Sequence, residues 1–245
     1  MSADRLLGAM GAILIGTYFF RLVRPSLHVY FSPDDLMNLQ VSWTQSLASL
    51  VRANLLFFES SIFGRPLGSV WYRAIYHLAG LNPVPFHAAN LVILALNIAL
   101  AFALARRLSG SPETGAIAAL LFCYRPQMAY LYFNTGFIYD VLCCFFYLAA
   151  LLLYVEVRRR GMLPGLGGLA GLCVLYILAL NSKEMAVTFP VILTTYELLY
   201  HRPSLSSFRH WPMREGRAIV VTGIMTLAFV IGRIAGAQSL TKFEA

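Results

Sequence analysis

The sequence predicts an all-α polytopic membrane protein of about seven transmembrane helices, with an amphipathic helical stretch in its first outer loop. Hydrophobic residues make up 59% of the 245-residue chain and charged residues only 12%, against about 25% charged in soluble domains. Mean hydropathy is +0.68. Apolar runs approaching the ~20 residues needed to cross hydrocarbon recur along the chain, and clusters of arginine mark alternate turns between them.

The expected spans are residues 6–20, 86–105, 114–133, 138–157, 163–180, 186–200 and 218–235, within one membrane domain covering 1–245. The first reads as an uncleaved anchor rather than a signal peptide, because Arg5 is its whole basic flank and no small-residue cleavage site precedes Arg21. Arg106 and Arg107, then Arg158 to Arg160, then Arg202, Arg209, Arg214 and Arg217 fall on alternate turns. The positive-inside rule then places the N-terminus inside and the loop 22–85 outside. An odd number of spans leaves the C-terminus outside as well. "GLGGLAG" (Gly165–Gly171) lies in an apolar run and reads as close helix packing.

The net charge of +8 does not point to nucleic acid, since the basic residues come in short clusters between apolar runs. Cys123, Cys143, Cys144 and Cys173 lie inside apolar runs without CxxC or His/Cys metal spacing, so they read as buried thiols.

The first outer loop is structured. In "DDLMNLQVSWTQSLASLVRANLLFF", Leu36, Leu39, Trp43, Leu47, Leu50 and Leu55 recur near helical spacing, which predicts one amphipathic helix on the membrane surface. Ser32-Pro33-Asp34 is helix-start chemistry. Capping can occupy one carboxylate of the pair Asp34 and Asp35 and hardly explains both, in a chain with 11 acidic residues. A second loop helix is expected from Pro66 to Gly80, with Pro inside its start and Gly past its end. "LNPVP" then turns the chain into the second span.

Polar residues gathered on the outer side form a candidate site: Asp34, Asp35, Glu59, Arg65, His87, Asn90, Asp140, Lys183 and Glu184. Ionisable groups are expensive near hydrocarbon, so such a set marks a site or a water-filled cavity. Lys183 and Glu184 either occupy a wet turn or serve a ligand, with Lys183 as a fixed charge near a phosphate and Arg65 as the bidentate alternative. His87, Asn90, Leu94 and Asn97 share one helical face. Interhelical hydrogen bonding competes there with a direct substrate role for His87.

The series "PDDLMNL", "FGRPLGSVWYRAIYHLAGLNPVPFHAANLVILALNIALAFALARRL" and "NSKEMAVTFPVILTTYELL", taken in order, resembles the membrane half of the C-type glycosyltransferase superfamily. The likeness is greatest to the tetratricopeptide-containing transmembrane O-mannosyltransferases and their bacterial relatives, from Tyr30 to Pro203. The resemblance implies an enzyme that transfers a mannose-like sugar from a polyprenyl-phosphate carrier to an extracytoplasmic acceptor hydroxyl on a protein or glycan. The setting implied is multi-pass, in a bacterial inner membrane or the endoplasmic reticulum, with membrane lipid as a partner and no nucleic acid.

Carried onto this chain, the acidic motif falls on Asp34 and Asp35, the basic-Pro-Leu motif on Arg65, Pro66 and Leu67, the His/Asn motif on His87 and Asn90, and the outer-turn motif on Lys183 and Glu184. Glu59 and Asp140 complete the substrate-binding set. Relatives carry His-Pro followed by Glu after the third span; here the run is "YRPQMAYLYFNTGFIYD", and Asp140 is the nearest carboxylate. That leaves the second acidic group of the site open. Relatives are also longer, so the C-terminal part of the family fold is expected to be missing, the chain being a fragment or a reduced form.

The chemistry suits this placement. An acceptor hydroxyl must lose its proton as it attacks the anomeric carbon, which calls for a carboxylate base. The second Asp would raise its neighbour's pKa by repulsion or share a divalent cation with it. A lipid or sugar carrier without chemistry, and a non-catalytic assembly partner, are the alternative classes.

Overall fold

In a computed structural model the described residues are 3–57, 65–124, 128–201 and 215–235, and among them the fold is helical with no strand. The helices are α1 (Ala3–Val23), α2 (Pro33–Thr44), α3 (Leu47–Leu55), α4 (Pro66–Ala79), α5 (Pro83–Ser109), α6 (Pro112–Tyr124), α7 (Met128–Phe133), α8 (Ile138–Arg159), α9 (Leu166–Ser182), α10 (Phe189–Tyr200) and α11 (Arg217–Ala235). Short 3₁₀ turns occupy Arg24–His28, Thr135–Phe137 and Glu184–Thr188.

Among the described residues three helical stretches are long and apolar enough to cross a membrane: Pro83–Ser109, Thr135–Arg159 and Arg217–Ile234. Pro112–Cys123 and Leu166–Ser182 are shorter apolar helices. At ~1.5 Å per residue, the 27 residues of α5 reach well beyond ~30 Å of hydrocarbon. The exterior is apolar where a soluble protein would be polar, with Ile13, Leu14, Val92, Leu121, Val191 and Ile224 all exposed.

Local chemistry sets the boundaries. Ser32 caps α2: its Oγ accepts from the Asp35 N–H, while the Ser32 N–H donates to Asp35 Oδ2 at 2.8 Å, a reciprocal capping box with Pro33 behind it. Asn82 caps α5 by accepting from the Val84 N–H at 3.1 Å, and α5 ends at Gly110, whose φ of 78° needs a residue without Cβ. The expected helix from Pro66 ends at Ala79 with Gly80 at φ 59°.

One expected element is divided. The amphipathic stretch is two helices, because Ser46 starts a new one by accepting from the Ser49 N–H at 3.1 Å after extended Gln45. Leu39 and Leu50 pack inward while Leu36, Trp43, Leu47 and Leu55 stay exposed. Within the run 114–133 the described helices are α6, to Tyr124, and α7, from Met128. The segment 186–200 begins as a 3₁₀ turn and becomes helical at Phe189.

Two cores organise the bundle. Phe19, Val23, Leu39, Tyr72, Phe86, Leu94 and Ile138 belong to one, built from α1, α2, α4, α5 and the start of α8. Tyr154, Leu172, Tyr176, Leu180, Phe189 and Leu193 belong to the other, joining α8 to α9 and α10. At the far end from the candidate site, Arg158 donates to both Glu197 oxygens at 2.7 Å with Tyr154 as a third donor at 2.8 Å. Arg158, expected as a loop charge, is in fact sealed in a buried pair, its side chain 7% exposed and Glu197 0%. Arg107 and Arg160 both meet Glu156 at 3.0 Å nearby, so the C-terminal ends of α5, α8 and α10 lie together.

Candidate functional site

The opposite end gathers the N-terminal ends of α2, α4 and α8 and the turn after α9 into one polar network. Its two aspartates have different fates. Asp35 is 1% exposed. One of its oxygens, Oδ2, takes the Ser32 N–H and Oγ at 2.8 Å each; the other, Oδ1, takes the Thr135 hydroxyl at 2.6 Å and the Tyr72 hydroxyl at 3.2 Å. Burial first, and the charge of Asp35 second, push the Tyr72 phenol far above its usual range, which keeps it a donor. Asp34, one residue earlier in the same helical turn, is exposed and has no hydrogen bond or ion pair among the described residues.

The turn Thr135–Phe137 closes on this pair. Gly136 lets it approach: a Cβ there would lie 2.8 Å from Asn134 Oδ1 and 3.2 Å from the Asp34 Cβ. Gly68 does the same for α4 on α8, since a Cβ would sit 2.1 Å from Cε1 of Tyr139. The Tyr139 hydroxyl then donates to Asn38 Oδ1 at 3.2 Å, one turn along α2 from the aspartates.

Two ion pairs continue the network. Arg65 presents Nη2 at 3.1 Å and Nε at 3.2 Å to Glu184 Oε2, and its guanidinium lies 5.6 Å from the Tyr139 ring centre. Burial alone would raise the Glu184 carboxyl, but its hydrogen bonds with the backbone and with Arg65 outweigh burial, and the Arg65 and Arg233 charges add to them; the group lies below the ordinary glutamate range. Lys183 Nζ meets Asp140 Oδ1 at 2.5 Å. Consecutive residues of one turn thus face two different helices with opposite signs.

The remaining candidates separate by role. Asn90 Nδ2 donates to the Leu131 carbonyl at 2.8 Å, and Asn97 Nδ2 to the Val141 carbonyl at 2.9 Å, so the stripe on α5 makes the interhelical bonds expected of it. His87 is fully buried, its ring close to the Val29 backbone and within reach of the Asp35 charge, and neither ring nitrogen makes a hydrogen bond of ordinary geometry among the described residues. Glu59 lies outside the described residues, as do Arg125 and Pro126. Sequence reasoning missed Asn38, Tyr72, Thr135, Tyr139 and Arg233. Only Arg233 carried a signal, a charge inside an apolar run.

A cation shared by Asp34 and Asp35 does not suit this arrangement. Both Asp35 oxygens are engaged by hydroxyl or amide donors, and among the described residues no group of three His, Cys, Asp or Glu side chains is placed to hold a metal ion.

No known family model matches the chain, and no solved structure does. Among curated proteins it is similar to the protein O-mannosyl-transferase Tmtc1 of Drosophila melanogaster, 30% identical over 178 residues, 69% of this chain and 20% of that protein. The chain thus spans about a fifth of the length of the curated relative it matches.

Proposed function

We propose that this chain is an integral, multi-pass membrane glycosyltransferase that moves a mannose-like sugar from a polyprenyl-phosphate donor to a hydroxyl of a protein or glycan acceptor outside the cytoplasm. The observation that carries this reading is the split of the aspartate pair. Four donors fix Asp35, while Asp34 stays exposed and unpartnered beside the cation-bearing network. The similarity to an O-mannosyl-transferase supports the same class.

In the proposed step Asp34 takes the proton of the acceptor hydroxyl as its oxygen bonds to the anomeric carbon. The bond from that carbon to the carrier phosphate breaks, and its electron pair leaves with the phosphate. Arg65 and Lys183 meet the growing charge. A single displacement inverts the anomeric centre.

The test is transfer of radiolabelled mannose from a synthetic polyprenyl-phosphate donor by the purified chain in lipid vesicles, with product configuration read by NMR. Inverted product that disappears with Asp34→Asn supports the reading. Binding or movement of the donor without any glycosidic product would overturn it in favour of a carrier.

A further inference from the structure

A cavity of about 500 Å³ opens under the Asp140–Lys183 pair. Its walls are Leu94 and Asn97 of α5, Phe122 of α6, and Cys144, Tyr147 and Leu148 of α8. From Asp140 to Leu148 the lining follows α8 for about 12 Å at ~1.5 Å per residue, running from the charged turn into the apolar span. A charged rim over an apolar shaft is the shape of an amphiphile's site.

The ion pair at the rim differs from the one at the other end of the molecule. Arg158 and Glu197 are sealed, and Tyr154 adds a third donor. Lys183 and Asp140 are 22% and 29% exposed and meet through one nitrogen and one oxygen. This half-buried, single-contact pair is less enclosed than Arg158–Glu197, and an ammonium has three donors to offer while phosphate has more acceptor oxygens than Asp140. Asn97 adds a further polar group to the wall: its Oδ1 is buried and has no hydrogen-bond partner among the described residues.

We propose that this cavity receives the first isoprene units of a lipid phosphate, and that the phosphate displaces Asp140, which holds Lys183 as an internal counter-ion while the site is empty. Asp140 is then a guard of the anion position and no part of the proton transfer. The assignment rests on the lipid-donor reading above and deepens it.

The test is equilibrium binding of farnesyl phosphate, carrying no sugar, to the full-length chain in nanodiscs, with farnesol and inorganic phosphate as separate arms. Farnesyl phosphate binds at least ten-fold more tightly than either. Lys183→Met weakens it at least ten-fold. Asp140→Asn strengthens it about ten-fold by releasing the ammonium. Leu148→Trp, which fills the shaft and leaves both charges in place, weakens it at least ten-fold and keeps the inference testable if a charge variant does not fold. Equal binding of inorganic phosphate would mark a soluble-anion site, and equal binding of farnesol a groove indifferent to charge; either overturns the assignment. So does an Asp140→Asn protein that binds no better than the parent. Since no sugar is present, a chain that binds in this manner but transfers nothing defeats the proposed function alone, and one that transfers but shows none of these shifts defeats this inference alone.

Discussion

Thr135 reaches across 100 residues of chain to donate its hydroxyl to Asp35 at 2.6 Å. That bond, with those from Tyr72 and Ser32, ties the start of α2 to α4 and to the start of α8. The buried carboxylate is a joint of the fold, and its neighbour Asp34 is left exposed. Asp35→Asn removes a charged acceptor from several donors and should cost about 1.5–3 kcal/mol, read as a lower thermal midpoint. Asp34→Asn should leave the midpoint within about 0.5 kcal/mol of the parent while lowering turnover by about 10²-fold or more. Equal stability losses in both variants would refute the division of roles.

The charged half of this arrangement was legible because charges are rare in the chain. Asp34, Arg65, Lys183 and Glu184 stand out against apolar surroundings, and the structure brings Arg65 to Glu184 although 119 residues separate them. That pairing could not be read from the sequence, since no local period links a loop before α4 to a turn after α9. Helix starts at Ser32 and Pro66 were legible from capping chemistry, whereas the Asn82 cap of α5 lay in a stretch that reads as a turn. The break at Ser46 was hidden because the apolar spacing continues through it. Tyr72, Thr135 and Tyr139 look in sequence like ordinary residues of apolar helices, and only the fold turns their hydroxyls toward α2.

Gly68 tests whether close packing of α4 on α8 holds the site together. A methyl at this position would lie 2.1 Å from the Tyr139 ring, which must move and give up its bond to Asn38. Gly68→Ala should therefore cost about 1–3 kcal/mol by overpacking. The paired variant Gly68→Ala with Tyr139→Leu should recover part of that stability in a thermal melt, because the ring that clashes is gone.

The buried pair at the far end gives the opposite expectation for function. Arg158→Met alone leaves the Glu197 carboxylate buried with Tyr154 as its remaining donor, and should destabilise by about 3–5 kcal/mol. Adding Glu197→Leu should recover most of that loss, since an apolar pair of similar volume avoids the desolvation of both ions. Donor binding at the other end should be unchanged in the double variant. A double variant no more stable than Arg158→Met would show that the pair is needed as a pair.

The Glu184 carboxyl predicts a pH dependence whose sign follows from linkage. Its folded-state pKa lies below the ordinary 4.5, so the folded protein holds the proton less tightly than the unfolded chain. The resulting stabilisation is complete above the unfolded value and disappears as pH falls through the folded one. Glu184→Gln should therefore lower the melting temperature relative to the parent at pH 7, and the gap should narrow below about pH 4.5 and close at still lower pH. A gap that widens on acidification would contradict a Glu184 carboxyl held below its ordinary range by its backbone hydrogen bond and by Arg65.

Arg65 offers the sharpest separation of charge from shape. It stands just before Pro66 with φ −142° and ψ 69°, outside helical geometry, which turns its side chain from the start of α4 toward the turn after α9. There its guanidinium meets Glu184 through Nε and Nη2 and lies over Tyr139, so that Nη1 is the nitrogen with no contact to Glu184. A planar fork can keep Glu184 on one edge and turn its other edge to a phosphate, which a single ammonium cannot do. Arg65→Lys should therefore keep the protein folded and its net charge unaltered, yet raise the KM for a polyprenyl-phosphate donor by about ten-fold, roughly 1.4 kcal/mol of lost binding, with a smaller change in kcat. Arg65→Met should do at least as much damage and also weaken the low-pH dependence assigned to Glu184, of which the backbone hydrogen bond and Arg233 would keep a part. If Arg65→Lys uses the lipid donor as well as the parent while Arg65→Met does not, charge alone is what the site needs, and the guanidinium's geometry plays no part in holding the carrier phosphate.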